Sequence, residues 1–153
     1  MPTPSPERPI VIKLLEAPFE PLELLAAWQR SFGAAGTAAE SHFIGRVRPT
    51  TASGAPLEAL ELEHYPGMSE TQLRAIAGAG AARHGVGAVL VAHRVGRIAP
   101  GEAIVLVAVQ ADRRGPALRC VQELLENLKH HAPFWKREWS GGRGTWVAGN
   151  TPL

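Results

Sequence analysis

An α+β fold, one domain built on a mostly antiparallel sheet with about three helices, is predicted by three observations. Short β-branched runs recur along the chain, three stretches of helical apolar periodicity lie between them, and turn signals separate neighbouring strands. With 153 residues, 45% of them hydrophobic and 20% charged, the chain suffices for one hydrophobic core and is short for two.

Residues 1–8 contain three prolines and no apolar pattern, which predicts a flexible leader before a domain spanning 9–153. Ile10–Leu15 reads as a first strand. Pro21 suits the first turn of a helix, and Leu22, Leu25, Ala26 and Gln29 follow at helical spacing until the Gly33–Gly36 stretch stops it. Ser41–Val47 alternates as a strand, Thr50–Pro56 is turn-rich, and the imperfect alternation of Leu57–Tyr65 predicts a strand with a bulge. Ser69 and Gln72 are spaced as a capping box for a helix whose Leu73, Ile76, Ala77 and Gly80 share a face and which Gly85 ends. Val86–His93 and Ala103–Val109, separated by the Pro100-Gly101 turn, predict a hairpin or adjacent strands. After the Asp112–Gly115 loop, Pro116 opens a third helix with Ala117, Val121, Leu124, Leu125 and Leu128 facing inward, and Pro133 forces its end. The glycine-rich Ser140–Gly144 stretch reads as a hairpin turn before a last strand near Thr145–Ala148.

Composition narrows the function. No apolar run approaches the ~20 residues that span a bilayer, and the N-terminus lacks a signal core, so a cytoplasmic protein without membrane contact is expected. The single cysteine, Cys120, excludes an intrachain disulfide and Cys-pair metal or redox motifs; beside a helical apolar face, it reads as packing rather than as a sulfur carrier. His130-His131 has no suitably spaced carboxylate companion, so no metal site is expected there. The net charge is +2, which suits an anionic ligand without demanding one.

The make-up of that charge is more informative. Of sixteen Lys and Arg residues only Lys13, Lys129 and Lys136 are lysines. In so arginine-rich a chain, two lysines seven positions apart mark places where an amine that can lose its proton is required, or fall there by chance on a solvated surface. Cations also gather at predicted loops and element ends: Arg46 and Arg48, Arg113 and Arg114, Lys129, Lys136 and Arg137. Singly, each is an ordinary surface charge; converging, they form an anion pocket with guanidinium forks for phosphate and amines for proton transfer. A competing class is a small basic RNA-binding module using Trp135, Trp139 and the arginines, and another is a non-catalytic interaction module. Low net charge and scattered cations weigh against the first, and the retained lysines against the second.

The stretches HFIGRVR (His42–Arg48), LELEHYPGMSE (Leu60–Glu70), HRVGRIAPGE (His93–Glu102) and LKHHAPFWKRE (Leu128–Glu138) together resemble the catalytic, large subunit of molybdopterin synthase, in order from about Ile10 to Val147. The resemblance implies an α/β hammerhead-like fold and sulfur transfer from the C-terminal Gly-Gly thiocarboxylate of a small ubiquitin-like partner to cyclic pyranopterin monophosphate, forming the dithiolene of molybdopterin. It implies catalytic roles for Lys129 and Lys136, and substrate contacts at Arg46, Val47, Arg48, Arg113, Arg114, Lys129, Lys136, Arg137 and Glu138. It further implies a homodimer of this chain within a heterotetramer, with no bound cofactor and no nucleic acid. One departure is visible: Arg113-Arg114 stands where the family usually has His-Arg, so a base at position 113 is not expected while anion binding is. Of the two lysines, Lys129, ending a helix, is expected to be the more sensitive, with Lys136 approaching from the loop after Pro133.

Overall fold

The computed structural model describes residues 9–32, 37–131 and 134–147, so the expected leader, the Gly33–Gly36 stop, Pro133 and Ala148 lie outside the described residues. Strands β1 (Ile10–Leu15), β2 (Ala39–Arg46), β3 (Ala59–Glu63), β4 (Ala88–Arg94), β5 (Gly96–Ile98), β6 (Ala103–Ala111), β7 (Trp135–Ser140) and β8 (Arg143–Trp146) are joined by helices α1 (Pro21–Phe32), α2 (Met68–His84) and α3 (Arg114–His131). One four-stranded sheet has the order β1-β4-β6-β2 and the other β5-β3-β7-β8. Every pairing is antiparallel except β1 with β4, which is parallel.

Alternation in the first sheet divides the core. Val89 and Val91 of β4 and Val107 and Val109 of β6 face α2 and α3, where Leu73, Ala77, Cys120, Val121, Leu124 and Leu128 complete one cluster. Ala88, Leu90, Ala92, Leu106 and Ala108 face α1, and the small alanines leave room for Trp28 beside Leu25. The inward side of α1 is therefore Leu24, Leu25 and Trp28, whereas Leu22, expected inside, is 66% exposed. Small residues on the sheet selected the large side chain three positions after Leu25, which a rule of spacing alone does not weigh.

Local signals are met in part. Gly85 closes α2 in the left-handed conformation at φ 65°, as expected. Ser69, however, makes no cap. The cap is Gly67, so the helix starts two residues earlier than a Ser69 cap would place it, and the Ser69 hydroxyl accepts a hydrogen bond from the Tyr65 amide at 3.2 Å. The Pro66-Gly67 turn sets the helix start, and the serine braces that turn. The expected bulge in β3 is absent, since its register with β5 and β7 is continuous. A register shift appears instead in β2 between Gly45 and Arg46. α3 begins at Arg114, two residues before Pro116, which its first turn tolerates because early helical amides lack intrahelical acceptors. The Ser140–Gly144 turn is a hairpin turn, with Gly141 and Gly142 at φ 56° and 74°, a pair of positive values that suits a tight connection of β7 to β8.

Two helical glycines with opposite surroundings test the α2–α3 packing. A Cβ on Gly80 would lie 2.8 Å from Leu124 Cδ2, and Leu124 is fully buried, whereas a Cβ on Gly78 would meet only Ile10 Cδ1 at 3.6 Å. Gly78→Ala is expected to raise stability by about 0.5–1 kcal/mol through helix propensity, and Gly80→Ala to lower it by about 1–3 kcal/mol through overpacking. Urea melts of the two variants check this; equal stabilisation by both would mean that α2 and α3 pack less tightly than these distances imply.

Candidate functional site

The strand register fixes which cations can meet. Arg46 is paired with Ala103 at the start of β6, and His93 of β4 with Val105, so both lie at one end of the first sheet. Arg113 and Arg114 follow Ala111 at the other end of β6, eight strand steps or about 26 Å away. α3 then runs back along the sheet for eighteen residues, about 27 Å, and so returns Lys129 to the Arg46 end. Within one chain, Arg46, Val47, Arg48, Lys129 and Lys136 are therefore gathered, and Arg113 and Arg114 are not.

Lys136 lies on β7, not in a loop. Its register partner is Leu62, and Phe134, just before the strand, packs against the apolar clusters of both sheets. Burial is the main reason why the Lys136 ammonium gives up its proton more easily than an ordinary lysine, and the like charge of nearby Lys129 adds to the effect. The sequence offered no signal for this strand, because WKREWS has no apolar alternation; its pairing with β3 is what makes it extended.

Alternation along β7 separates the remaining candidates. Arg137 faces away from Lys136: its Nη2 donates to Glu61 at 2.6 Å and Glu63 at 3.2 Å, and its guanidinium lies 5.0 Å from the Trp139 ring and 4.5 Å from the Trp146 ring. Glu138 returns to the Lys136 face, and its carboxylate accepts from the Ala52 amide at 3.2 Å. In the outer layer of Trp135, Arg137, Trp139 and Trp146 the Arg137 cation is thus already matched by carboxylates, which lowers the charge left to an RNA-binding platform. An open concavity of about 300 Å³ lined by Glu63, His64, Tyr65, Trp135 and Trp146 belongs to the second sheet and contains neither lysine.

Three residues not singled out from sequence complete the gathered end. His93 is 8% exposed, its Nδ1 is 2.8 Å from the Arg94 carbonyl oxygen, and its ring is 4.5 Å from that of Phe134. Burial pushes its pKa down to about 4; the hydrogen bond to Arg94 opposes the shift and the Lys136 charge reinforces it. Arg94, 2% exposed, donates to Glu102 at 2.9 Å and to the Arg97 carbonyl at 3.1 Å. Glu102 in turn accepts the Val47 amide through its carbonyl at 3.0 Å, and Arg46 Nη1 donates to the Gly101 carbonyl at 3.2 Å. A part-buried ion pair therefore ties the Arg46–Val47 segment to β4. The stretch His93–Glu102 was conspicuous in the sequence as a block, but nothing in its spacing told an ion-pair anchor from a turn.

Cys120 is fully buried, and burial followed by the charge of Glu123 raises its thiol to about 11, so a reactive thiolate is disfavoured there. His130 pairs with Glu126 at 3.5 Å within α3. Among the described residues no group of three or more His, Cys, Asp or Glu is placed to hold a metal, and no helix is long and apolar enough to cross a membrane.

Comparison with known proteins agrees with the fold and with the family that the sequence resembles. The MoaE protein family matches residues 15–131. The molybdopterin synthase catalytic subunit of Cereibacter sphaeroides is 45% identical over 130 residues, covering 84% of this chain and 87% of its own. Among solved structures, the molybdopterin biosynthesis MoaE protein from Burkholderia ambifaria MC40-6 superposes with a TM-score of 0.76 at 34% identity, covering 93% of this chain and 91% of that one. A complex of subunits 1 and 2 of molybdopterin-converting factor from Helicobacter pylori 26695 contains a chain with the same fold, at TM-score 0.74 and 24% identity, covering 89% of each chain. With most of its length matched at this identity, and with the two-sheet architecture in common, the chain belongs to the MoaE family, that of the molybdopterin synthase catalytic subunits.

Proposed function

We propose that this chain transfers sulfur to cyclic pyranopterin monophosphate from the C-terminal thiocarboxylate of a small ubiquitin-like partner ending in Gly-Gly, twice per product, as the cytoplasmic catalytic half of molybdopterin synthase. The observation that carries the reading is the lysine pair: a half-buried Lys136 that sheds its proton readily, Lys129 beside it, and Arg46–Arg48 at the same end of the sheet. Substrate and sulfur donor are both anions, and converging cations offset their repulsion. In each round the donor sulfur bonds to a carbon of the pterin side chain as a carbon–oxygen bond at that carbon breaks and its oxygen leaves protonated, and water cleaves the acyl–sulfur bond to leave a carboxylate on the partner. Lys136 is suited to receive or return the protons of that exchange, and the reaction requires no resident cofactor.

Assembly follows from the same geometry. β2 is an edge strand of the first sheet, and Phe43 on it is 42% exposed. A second copy of the chain lying antiparallel along β2 places its own Arg113–Arg114 end beside the first copy's Arg46–Arg48 end, two strand spacings or roughly 10 Å across. One copy then supplies the lysines with Arg46 and Arg48, and the other supplies Arg113 and Arg114. A small partner at each outer end makes a heterotetramer, in keeping with the two-subunit complex of the Helicobacter pylori structure.

The substrate phosphate is assigned to Arg48 and Arg114, both exposed guanidiniums able to form forked hydrogen bonds to phosphate oxygens. Arg48→Ala or Arg114→Ala is expected to raise the dissociation constant of the precursor by at least about tenfold, or ~1.4 kcal/mol. Calorimetric titration of each variant checks this, and unchanged isotherms for both would place the phosphate elsewhere.

A further inference from the structure

Lys136 has unlike neighbours on its two known sides. The like charge of Lys129 on α3 reaches it, and its own charge reaches His93 on β4, whose ring packs on Phe134, two residues before Lys136 along the same extended segment. The Arg94 carbonyl can only accept, so at 2.8 Å the His93 Nδ1 carries the proton and Nε2 is left as a bare acceptor. Arg94 cannot readily drift, because its guanidinium is anchored to Glu102 and to the Arg97 carbonyl. The imidazole is further held by Phe134, two residues before Lys136, and its strand neighbours are the apolar Leu14 of β1 and Val105 of β6. Arg94 follows His93 directly on an extended strand, so its ion pair with Glu102 is directed to the opposite face of β4. On the Lys136 side of β7, Glu138 is engaged with the Ala52 amide.

We propose that His93 is a positioning residue for Lys136: its neutral imidazole walls the amine off from water while offering no counter-charge, so the amine stays free to exchange its proton. A carboxylate at this position would hold Lys136 as an ammonium ion, and a small side chain would admit water with the same result. A histidine buried so deeply does neither, because taking up a second proton would place an unpaired charge in the core next to two lysines. The proposal rests on the reading that Lys136 exchanges protons in the reaction, and its test is chosen to stand apart from that reading.

Competitive acetylation of the full chain with acetic anhydride, followed by mass spectrometry across a pH series, reports the midpoint at which each lysine becomes reactive. The chain has only three lysines, and exposed Lys13 on β1 serves as the internal reference. The Lys136 midpoint is expected below that of Lys13 in the unaltered protein and to remain there in His93→Phe. In His93→Asp it is expected to rise by at least about one pH unit over His93→Asn, a tenfold loss of labelling at fixed pH. His93→Ala, read beside a thermal melt, is expected to move the midpoint towards that of Lys13, and it serves should the aspartate variant fail to fold. Equal midpoints across the folded variants, or a Lys136 midpoint in the unaltered protein no lower than that of Lys13, would overturn the proposal. Product formation by the same variants separates the two readings: midpoints that move without the rate following would leave His93 as the positioning residue and remove Lys136 as the proton carrier.

Discussion

Replacing Lys136 by arginine is expected to slow single-turnover molybdopterin formation by about a hundredfold or more, nearly as much as replacement by alanine, with the fold and small-subunit binding intact. Arginine keeps the positive charge and adds hydrogen-bond donors, so it would preserve the rate if position 136 only neutralised anions. It cannot lose a proton near neutral pH. The half-buried lysine can, because burial and then the charge of Lys129 favour its neutral form. The same reasoning fixes the pH dependence: a rate that needs the neutral amine falls as pH drops through the lowered pKa, and the fall lies below the range of an ordinary lysine. Lys129→Arg is also expected to be damaging. Helix position makes Lys129 the more sensitive of the two by sequence, and the burial of Lys136 on β7 gives that amine an equal claim to the proton-transfer role. Near-normal rates for both arginine variants, with melting curves like that of the unaltered protein, would reduce the pair to an electrostatic role.

Mixing Lys136→Ala with Arg114→Ala, assayed at precursor far below the raised dissociation constant of the arginine variant so that each alone is nearly silent, is expected to restore about a quarter of normal activity once their subunits exchange. Random re-pairing makes about half of the dimers mixed, and a mixed dimer has one site with both Lys136 and Arg114 and one site with neither. A site contained within a single chain could not be rebuilt this way. The distance of about 26 Å between the Arg113–Arg114 end and the Arg46 end of β6 is the reason to expect rescue. Activity is measured before and after mild denaturation and refolding of the mixture; no recovery, with mixed dimers verified by mass spectrometry, would return the whole site to one chain and leave Arg114 outside it.

What the sequence determined by itself was local. Helical periodicity placed Leu73, Ala77 and Gly80 on the buried face of α2, and Val121, Leu124 and Leu128 on that of α3, because a repeat of 3.6 residues is written into the order of side chains. Gly85 marked a helix end and Gly141-Gly142 a hairpin turn, because only glycine takes those positive φ values at little cost. The scarcity of lysine in an arginine-rich chain singled out Lys129 and Lys136. Tertiary structure alone decided the rest. β7 is a strand because β3 offers it backbone partners, although its own sequence sets three consecutive charged residues between two tryptophans and shows no apolar alternation. That pairing set Lys136 opposite the buried Leu62 and turned Arg137 towards Glu61, since neighbours on a strand point to opposite faces. The distance between the two arginine pairs was equally invisible, because it depends on the length and direction of β6 and not on separation along the chain. Charge and periodicity are properties of a sequence, whereas burial, facing and separation belong to the pairing of distant segments.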